Sequence, residues 1–230
     1  MATKLGVSEM TIRRDLRALE LDGTLLRTHG GAVASDEGPL GAEPPFLERQ
    51  RKNAEAKRLI ARAALEFVRE HETIGIDVGT TTLQLAKNLA QSKIAIRVFT
   101  TSLRAAMTLA GVIEVYCPGG VIRPLEMSMT GNMAVTTLEN FQFDRVFLGV
   151  SGITESGLFD YSIADTELKA AFLRQSREVI VLVDSSKFGV TSTAKVADLR
   201  QISVIITDKM PQPAMQEALE GAGVRLIVSG

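Results

Sequence analysis

The stretch TIGIDVGTTTLQLA, residues 73–86, joins a short apolar strand, a glycine with three threonines, and the start of a helix. The same unit, an apolar and β-branched run followed by a helical segment, recurs along the chain. Such alternation predicts an α/β fold with a mostly parallel sheet covered by helices on both faces. The strand candidates are TIGID (73–77), IAIRVFT (94–100), VIEVYC (112–117), DRVFLGV (144–150), EVIVLV (178–183), VIIT (204–207) and VRLIV (224–228).

The end of the first strand is a candidate anion-binding site, because ligands of parallel sheets lie beyond the carboxyl ends of the strands. Asp77 and Gly79 precede three threonines, Thr80, Thr81 and Thr82, which open the next helix. Gly79 lets the backbone approach a ligand, and the helix start offers N–H groups, hydroxyls and the positive end of the helix dipole. The alternative is structural, since threonine is also a common N-cap residue. The GxxxxGK[ST] and GxGxxG nucleotide motifs are absent.

Other strand ends add polar groups to this candidate site. FTTS (99–102) supplies hydroxyls, YCPGGVIR (116–123) supplies Gly119, Gly120 and Arg123, and VDSSKFG (183–189) supplies Asp184 and Lys187. Each has a structural alternative as a cap, a turn, a solvated side chain or a loop. Together they place an arginine and a lysine beside the anion site, which favours a phosphorylated polyol over an aromatic cofactor.

The N-terminal segment VSEMTIRRDLRALE, residues 7–20, predicts a short amphipathic helix with Ser8 as its N-cap and Val7 stapled to Ile12. Ile12, Leu16 and Leu19 share one face, which leaves the opposite arc to Met10, Arg13, Arg14 and Arg17. A basic arc of this kind is either a solvated face or a surface for phosphate and guanine contacts. The following LDGTLLRTHGGAV, residues 21–33, predicts a helix end at Asp22 and Gly23 and a hairpin with a turn at Gly30 and Gly31, as in a winged helix.

Composition excludes several classes of protein. The chain of 230 residues has a formal net charge of −1, and its single cysteine and two histidines provide neither a disulfide nor a zinc-type ligand cluster. Cys117 is expected to be a small buried side chain at a strand end. No membrane span or signal peptide is evident, so a cytoplasmic location is expected, with no cofactor and no metal.

The segment SDEGPLGAEPPFLERQRK, residues 35–52, holds three of the seven prolines and has no periodic apolar pattern, which indicates a linker. A helix is predicted after it, over residues 54–71. The predicted organisation is therefore a partial winged helix-turn-helix over residues 1–35, a linker over 36–52 and a ligand-sensing domain over 53–230.

The chain resembles DeoR/GlpR-type bacterial transcriptional regulators. The segment VSEMTIRRDLRALELDGTLLRTHGGAV is similar to their N-terminal signature, and IDVGTTT, FTTSLRAA, PGGVIRPLEMSMTG, FDRVFLGVSGI, ADTELK and VDSSKFG are similar to successive motifs of their sensor domain. The resemblance implies a sensor fold similar to ribose-phosphate isomerases and CoA-transferases. It further implies a repressor of sugar catabolic genes, acting as a homodimer or homotetramer, that leaves operator DNA when a phosphorylated sugar binds.

The resemblance also assigns roles to residues of this chain. The residues implied for DNA contact are Ser8, Thr11, Arg13, Arg14 and Arg17. Those implied for the phosphate are Asp77, Gly79, Thr80, Thr81 and Thr82, and those implied around the sugar are Thr101, Gly119, Arg123 and Lys187.

Three departures from the family pattern accompany the resemblance. Family members often have asparagine at Thr101 and usually glutamate at Asp165, so the effector could differ, or the two positions could lie behind those that touch it. Asp165 and Lys169 could also form no more than a helical ion pair. Finally, the chain starts at MATKLGVS, inside the second helix of the motif. This shortened chain is therefore expected to be poorly ordered before about residue 35 and weak on DNA.

Two other functions fit the same pattern. One is a phosphosugar isomerase, for which Asp77, Asp160, Asp165, Asp184 and Lys187 are candidate acids or bases. The other is a dimerisation module whose ligand site is inactive. Turnover of a phosphosugar would identify the first, and indifference to every phosphate ester would identify the second.

Overall fold

The computed structural model describes residues 8–21, 25–28, 31–34 and 43–229. The chain divides into two compact units, Met1–Lys52 and Asn53–Gly230. The first unit contains the helix α1 (Glu9–Leu21), the strands β1 (Leu25–Thr28) and β2 (Gly31–Ala34), which pair antiparallel, and the helix α2 (Phe46–Arg51). The predicted N-terminal helix and hairpin are thus both present. Val7, Asp22, Gly23 and Gly30, which were expected in the staple, the helix end and the turn, lie outside the described residues.

The helix α2 lies within residues 36–52, the segment that the sequence predicts as a linker. The helix starts directly after Pro45, and proline is well suited to the residue before a first turn because it needs no N–H partner there. Glu48 lies in the first turn and Arg51 in the last, so both charges complement the helix dipole. The prolines therefore mark the start of a short helix, which is too brief to show a periodic apolar pattern.

The second unit alternates helices and strands in the predicted manner. Its helices are α3 (Ala54–Leu65), α4 (Thr80–Ser92), α5 (Leu103–Leu109), α6 (Asn132–Glu139), α7 (Ile163–Gln175) and α8 (Pro213–Gly221). Its strands are β3 (Thr73–Ile76), β4 (Arg97–Thr100), β5 (Glu114–Tyr116), β6 (Val121–Arg123), β7 (Ser128–Thr130), β8 (Phe143–Gly149), β9 (Gly152–Thr154), β10 (Gly157–Asp160), β11 (Ser176–Leu182), β12 (Ala194–Ala197), β13 (Val204–Thr207) and β14 (Arg225–Val228).

Seven strands form one parallel sheet in the order β14-β13-β11-β8-β3-β4-β5. Each of them is one of the strands predicted from the sequence, so the α/β fold class is confirmed. The order of strands reverses between β3 and β8, which start the two halves of the sheet. In sheets of this kind the point of reversal leaves a crevice at the carboxyl ends, and this is the usual place for a ligand.

Two smaller sheets were not predicted. One is antiparallel with the order β12-β10-β9, and the other is the hairpin β6-β7. Their strands have only three or four residues each, too few for a clear alternation of apolar and polar side chains. Both matter below, because β6, β7 and β10 bring side chains to the carboxyl edge of the large sheet.

The helix α3 ends at Leu65, six residues before the predicted end at residue 71. Beyond it the chain continues in tight turns, in which Phe67 and Val68 donate to carbonyls three residues back. Val68 is still buried although it lies beyond the last helical residue. The helical spacing of apolar residues therefore continues past the end of α3, and this is why the predicted helix was too long.

The core packs α7 against the sheet and fixes its rotation. Gly75 on β3 has no side chain, and a Cβ atom there would lie 2.7 Å from the ring of Phe172 on α7. Phe172 also packs against Phe143 with ring centroids 5.3 Å apart. Because Lys169 precedes Phe172 by one helical turn, this packing directs Lys169 toward the sheet as well. Within the described part of the chain, no helix is long and apolar enough to cross a membrane.

Candidate functional site

Asp77 lies at the point where the order of strands reverses. It directly follows β3, its side chain is 1% exposed, and its N–H donates to the carbonyl of Phe147 on β8 at 3.0 Å. Its Oδ2 atom accepts a hydrogen bond of 3.1 Å from the N–H of Gly149, the last residue of β8. The carboxylate therefore bridges the two strands that flank the crevice.

Lys169 of α7 forms an ion pair with Asp77 at the same place. Its ammonium contacts Asp77 Oδ2, donates to the Gly149 carbonyl at 2.8 Å, and lies 3.0 Å from Asp160 Oδ2 at the end of β10. The lysine side chain is only 1% exposed. A buried ammonium requires paired charges and satisfied hydrogens, and these three partners supply both.

A second ion pair joins Asp165 on the first turn of α7 to Arg123 at the end of β6. Ser162 caps the helix, because its Oγ atom accepts a hydrogen bond of 3.1 Å from the N–H of Asp165. This bond fixes the position of Asp165 in the first turn. The expected alternative of an ion pair between Asp165 and Lys169 is wrong. Each residue pairs with a partner from a distant part of the chain, because the packing of α7 turns both side chains inward.

Acidic groups outnumber basic ones in this cluster. Asp77, Asp160 and Asp165 carry three potential negative charges against the two positive charges of Arg123 and Lys169. Burial raises the pKa of Asp77 from 3.8 to about 7, although the attraction and hydrogen bond of Lys169 act in the opposite direction. Burial lowers the pKa of Lys169, but the surrounding aspartates outweigh burial, and its net shift is upward. The raised pKa of Asp77 therefore reflects burial first, whereas the raised pKa of Lys169 reflects the acidic groups around it.

The turn from Gly79 to Thr82, called the GTTT turn below, leads from Asp77 into α4. Gly79 is the N-cap residue of α4, and no side chain caps the first N–H groups of this 13-residue helix. Thr82 is fully buried and donates its hydroxyl to the Gly79 carbonyl at 3.1 Å, so it holds the turn together. Thr80 is half-buried and Thr81 buried. The geometry fits an anion site made of backbone donors, with Thr82 in a supporting position.

Thr101 directly follows β4 and Asp77 directly follows β3, and the last residues of these strands, Thr100 and Ile76, are in register, which places Thr101 beside Asp77. The carbonyl of Thr101 accepts the N–H of Met129 on β7 at 2.8 Å, which brings the β6-β7 hairpin to this edge. Ser128, the first residue of β7, is in register with Arg123 of β6. Both Thr101 and Ser128 are fully buried.

The remaining predicted residues follow other strands of the same sheet. Gly119 lies after β5 with a φ of 81°, a backbone conformation that favours glycine, and a Cβ atom there would lie 3.4 Å from the sulfur of Met133. Lys187 is half-buried in a short 3-10 helix, Ser185–Lys187, after β11. The same loop holds the start of α3, since Asn53 Nδ2 donates to Asp184 Oδ1 at 2.8 Å and to Ser186 Oγ at 3.2 Å.

Sequence reasoning missed Lys169 and Ser128 as site residues. Lys169 was considered only as a helical ion-pair partner of Asp165, although Leu168 before it and Phe172 one turn after it are apolar and buried. A lysine between two core residues of one helix is a signal that could have identified it. Ser128 carries no comparable signal, because its position depends on the unpredicted β6-β7 hairpin.

Two other expectations concern the chemistry of the chain. Cys117 is exposed, so the prediction of a buried cysteine is wrong. It follows β5, the outermost strand of the sheet, where no further strand covers the chain. Among the described residues, no group of three or more histidine, cysteine or acidic side chains could hold a metal ion.

In the first unit, α1 has the predicted cap. Ser8 Oγ accepts the N–H of Thr11 at 3.1 Å, and the two hydroxyls lie 2.9 Å apart. Ile12 and Leu16 are half-buried, whereas Met10, Arg14 and Arg17 are exposed. The side chains of Arg13 and Leu19 lie outside the described residues. The described residues thus place two of the three predicted arginines on the exposed arc.

Two family models match the chain. The DeoR C terminal sensor domain matches residues 52–209, and the DeoR-like helix-turn-helix domain matches residues 1–37. Together these two domains define a transcriptional regulator. The chain belongs to the DeoR family, and the resemblance stated from the sequence is confirmed.

Curated relatives are similar over nearly their whole length. The HTH-type transcriptional regulator GlpR of Haloferax volcanii is 34% identical over 99% of this chain and 89% of its own length. The lactose phosphotransferase system repressor of Lactococcus lactis is 36% identical over 91% of this chain and 83% of its own length. These relatives are named as transcriptional regulators and not as enzymes.

Solved structures share the fold at low identity. The eIF2B delta subunit from Chaetomium thermophilum has a TM-score of 0.51 at 18% identity, over 69% of this chain and 57% of that chain. Ribose 5-phosphate isomerase A from Methanocaldococcus jannaschii has a TM-score of 0.45 at 21% identity, over 60% of this chain and 55% of that chain. The chain spans little more than half of either structure, and the likeness concerns the fold alone.

Proposed function

We propose that this chain is a repressor of sugar catabolic genes that leaves operator DNA when a phosphorylated sugar binds at the carboxyl edge of its large sheet. The observation that carries the proposal is the uncapped GTTT turn at the crevice between β3 and β8, in a chain that matches both a sensor model and a helix-turn-helix model. Backbone N–H groups at a helix start bind phosphate without requiring a particular sugar, which suits a family of sensors for different metabolites.

The proposed ligand site extends over several strand ends. Gly79, Thr80 and Thr81 hold the phosphate, with Thr82 shaping the turn. Asp77, Thr101, Gly119, Arg123 and Lys187 surround the rest of the ligand. The proposed boundaries are the DNA-binding segment 1–35, the connection 36–52 and the sensor 53–230.

The proposed DNA surface is the exposed arc of α1. Arg13, Arg14 and Arg17 contact phosphates or guanine edges, because a guanidinium donates two parallel hydrogen bonds to either. Thr11 contacts the DNA backbone, and Ser8 fixes the helix start from which these residues project. Helix-turn-helix proteins bind two half-sites as two-fold dimers, so the proposal includes a homo-oligomer, either a dimer or a tetramer.

A thermal-shift panel tests the ligand site. A phosphorylated sugar at 100 times its Kd is expected to add about 2.7 kcal/mol, which raises the unfolding midpoint by roughly 5–11 °C. Its dephosphorylated partner is expected to have no effect. Thr81→Val removes one hydroxyl at constant shape and is expected to weaken binding at least tenfold, because hydrogen bonds to charged groups contribute about 1.5–3 kcal/mol.

The matched control is Thr136→Val on the exposed face of α6, which should respond like the unaltered chain. A panel without any shift, in which Thr81→Val also behaves like the control, would refute the phosphate site. Turnover of a phosphosugar by the purified chain would favour an isomerase instead.

Asn53 links the proposed ligand edge to the junction of the two units. It is the first residue after Lys52, where the units divide, and it hydrogen-bonds Asp184 and Ser186 in the loop that carries Lys187. Asn53 has a φ of 54°, so Asn53→Gly removes the amide in a backbone conformation that glycine adopts readily. A ligand that moves this loop would change the two hydrogen bonds of Asn53. We propose that this change shifts the population of protein that is competent to bind DNA.

We expect Asn53→Gly to bind the effector normally but to release DNA poorly, with the effector's influence on DNA affinity reduced by about tenfold. The measurement is the affinity for DNA fragments selected by the chain from a random pool, with and without the effector. Asn140→Gly makes the same change at an exposed position far along the chain, after α6, and should release DNA normally. Normal release by Asn53→Gly as well would exclude this link.

A further inference from the structure

Four buried oxygen atoms around the Asp77 and Asp165 ion pairs have no hydrogen-bond partner among the described residues. They are Asp77 Oδ1, Thr101 Oγ1, Ser128 Oγ and Asp165 Oδ1. The four residues are between 0% and 3% exposed. Buried polar atoms are nearly always paired, and leaving one unpaired costs about 1–3 kcal/mol. Four such atoms close together in the fold require a common explanation.

The residues that carry these atoms form a closed circuit, called the carboxylate ring below. Asp77 pairs with Lys169, which lies one turn of α7 after Asp165. Asp165 pairs with Arg123, and Arg123 is in register with Ser128 on the β6-β7 hairpin. The hairpin is bonded to Thr101 through the N–H of Met129, and Thr101 lies beside Asp77 by strand register. Ion pairs, one backbone hydrogen bond, strand register and helical spacing therefore relate all six residues in a circuit.

The chemistry of the ring defines what it can bind. An ionised carboxylate only accepts hydrogen bonds, whereas the two hydroxyls can both donate and accept. The cationic groups of Arg123 and Lys169 are each paired with a carboxylate, and the five groups of these ion pairs sum to −1 when all are ionised. A phosphate or carboxylate would add negative charge beside oxygens that have no hydrogen to donate. A ligand group that fits must bring donors and no negative charge.

We infer that the carboxylate ring binds the polyhydroxylated part of the effector, with Asp77 and Asp165 each accepting a hydrogen bond from a sugar hydroxyl and with Thr101 and Ser128 exchanging hydrogen bonds with its neighbours. The inference rests on the proposed function, in which the GTTT turn holds the phosphate. It gives Asp77, which the proposed function places around the rest of the ligand, the specific role of a hydroxyl acceptor, and it adds Ser128 and Asp165 as residues that determine specificity.

The inference also explains the two ion pairs as positioning contacts. Lys169 and the Gly149 N–H hold Asp77 by Oδ2 and leave Oδ1 to the ligand. Arg123 holds Asp165 by Oδ2 and likewise leaves Oδ1. A carboxylate fixed in this way loses little freedom when a hydroxyl binds, and it discriminates against analogues that lack the hydroxyl.

The test uses calorimetric titration of the full chain with inorganic phosphate, n-butyl phosphate, ribose 5-phosphate, glucose 6-phosphate and fructose 6-phosphate. At least one of the three sugar phosphates is expected to bind tenfold or more tightly than n-butyl phosphate, which carries no hydroxyl on its chain. Thr101→Val and Ser128→Ala are each expected to reduce that advantage about three- to tenfold, because each removes one hydrogen bond. Their affinity for inorganic phosphate should not change.

The unliganded variants provide a second measurement. Neither substitution removes a described side-chain hydrogen bond, so the unfolding midpoint of Thr101→Val and Ser128→Ala should not fall. A marked fall would show that the hydroxyl serves folding and would overturn its assignment to the ligand. Ser156→Ala, in the exposed turn between β9 and β10, is the matched control and should keep the full preference for sugar phosphates.

The outcomes separate this inference from the proposed function. If inorganic phosphate and n-butyl phosphate bind but the sugar phosphates bind no better, the ring does not bind hydroxyls and ordered water occupies it, while the phosphate site stands. If none of the five compounds binds, the phosphate site is wrong and the inference falls with it. Unchanged selectivity in both hydroxyl variants would also overturn the inference.

Discussion

Lys169→Met is expected to lower the free energy of unfolding by about 3–5 kcal/mol at pH 8, because removing one partner of a buried ion pair leaves the other charge uncompensated. Methionine retains the length and much of the apolar stem of lysine, so the loss is electrostatic and not a loss of volume. Asp77 would keep only the Gly149 N–H, and Asp160 would lose its cation. Urea unfolding of the purified variant measures the change.

Two companion variants make this result interpretable. Lys87→Met makes the same substitution on the exposed face of α4 and should change stability by less than about 0.5 kcal/mol. The double variant Lys169→Met/Asp77→Asn removes both charges and should recover a large part of the lost stability. A double variant that is less stable than Lys169→Met would mean that the lysine stem, and not its charge, holds the edge together.

The large sheet could be predicted because its strands carry their own signal. β13 is buried at all four positions, and in β11 the last four residues are buried, so each presents an uninterrupted apolar and β-branched run. A strand covered on both faces needs such a run whatever its neighbours are. The antiparallel strands β6, β7 and β9 have three residues each, and their pairing depends on contacts that no local pattern encodes.

The candidate site divides in the same way. The GTTT turn could be located because glycine and threonine follow a strand and open a helix within a few residues. The partners of Asp77 could not be located, since Lys169 lies 92 residues further along the chain. The rule of neighbouring charges on a helix instead suggested a pair between Asp165 and Lys169. Packing of Phe172 against Gly75 sets the rotation of α7, and this long-range contact decides the true partners.

The pH dependence of stability tests the environment of Asp77 directly. Burial raises its pKa from 3.8 to about 7, with Lys169 opposing the shift. Between these two values the folded protein keeps a proton that the unfolded chain has released. The stabilising contribution of Asp77 is therefore fully present below pH 3.8, decreases as the pH rises toward 7, and is lost above it. At about 1.4 kcal/mol for each pKa unit, the total change is on the order of 4–5 kcal/mol.

Asp77→Asn isolates this contribution, because asparagine can still accept the Gly149 N–H but does not titrate. Urea unfolding of both proteins at several pH values gives the free energy of unfolding of the unaltered chain minus that of Asp77→Asn. We expect this difference to become smaller from pH 4 to about pH 8 and to stay constant from there to pH 9. If the difference grew over the lower range, the folded-state pKa would lie below 3.8, and Lys169 would outweigh burial. Asp77 would then be a firmly ionised partner of the lysine and would accept a ligand hydroxyl equally well at pH 5 and pH 8. A raised pKa has the opposite consequence for the ligand. Hydroxyl binding must then weaken as the pH falls below 7, because the protonated carboxyl no longer offers a charged acceptor.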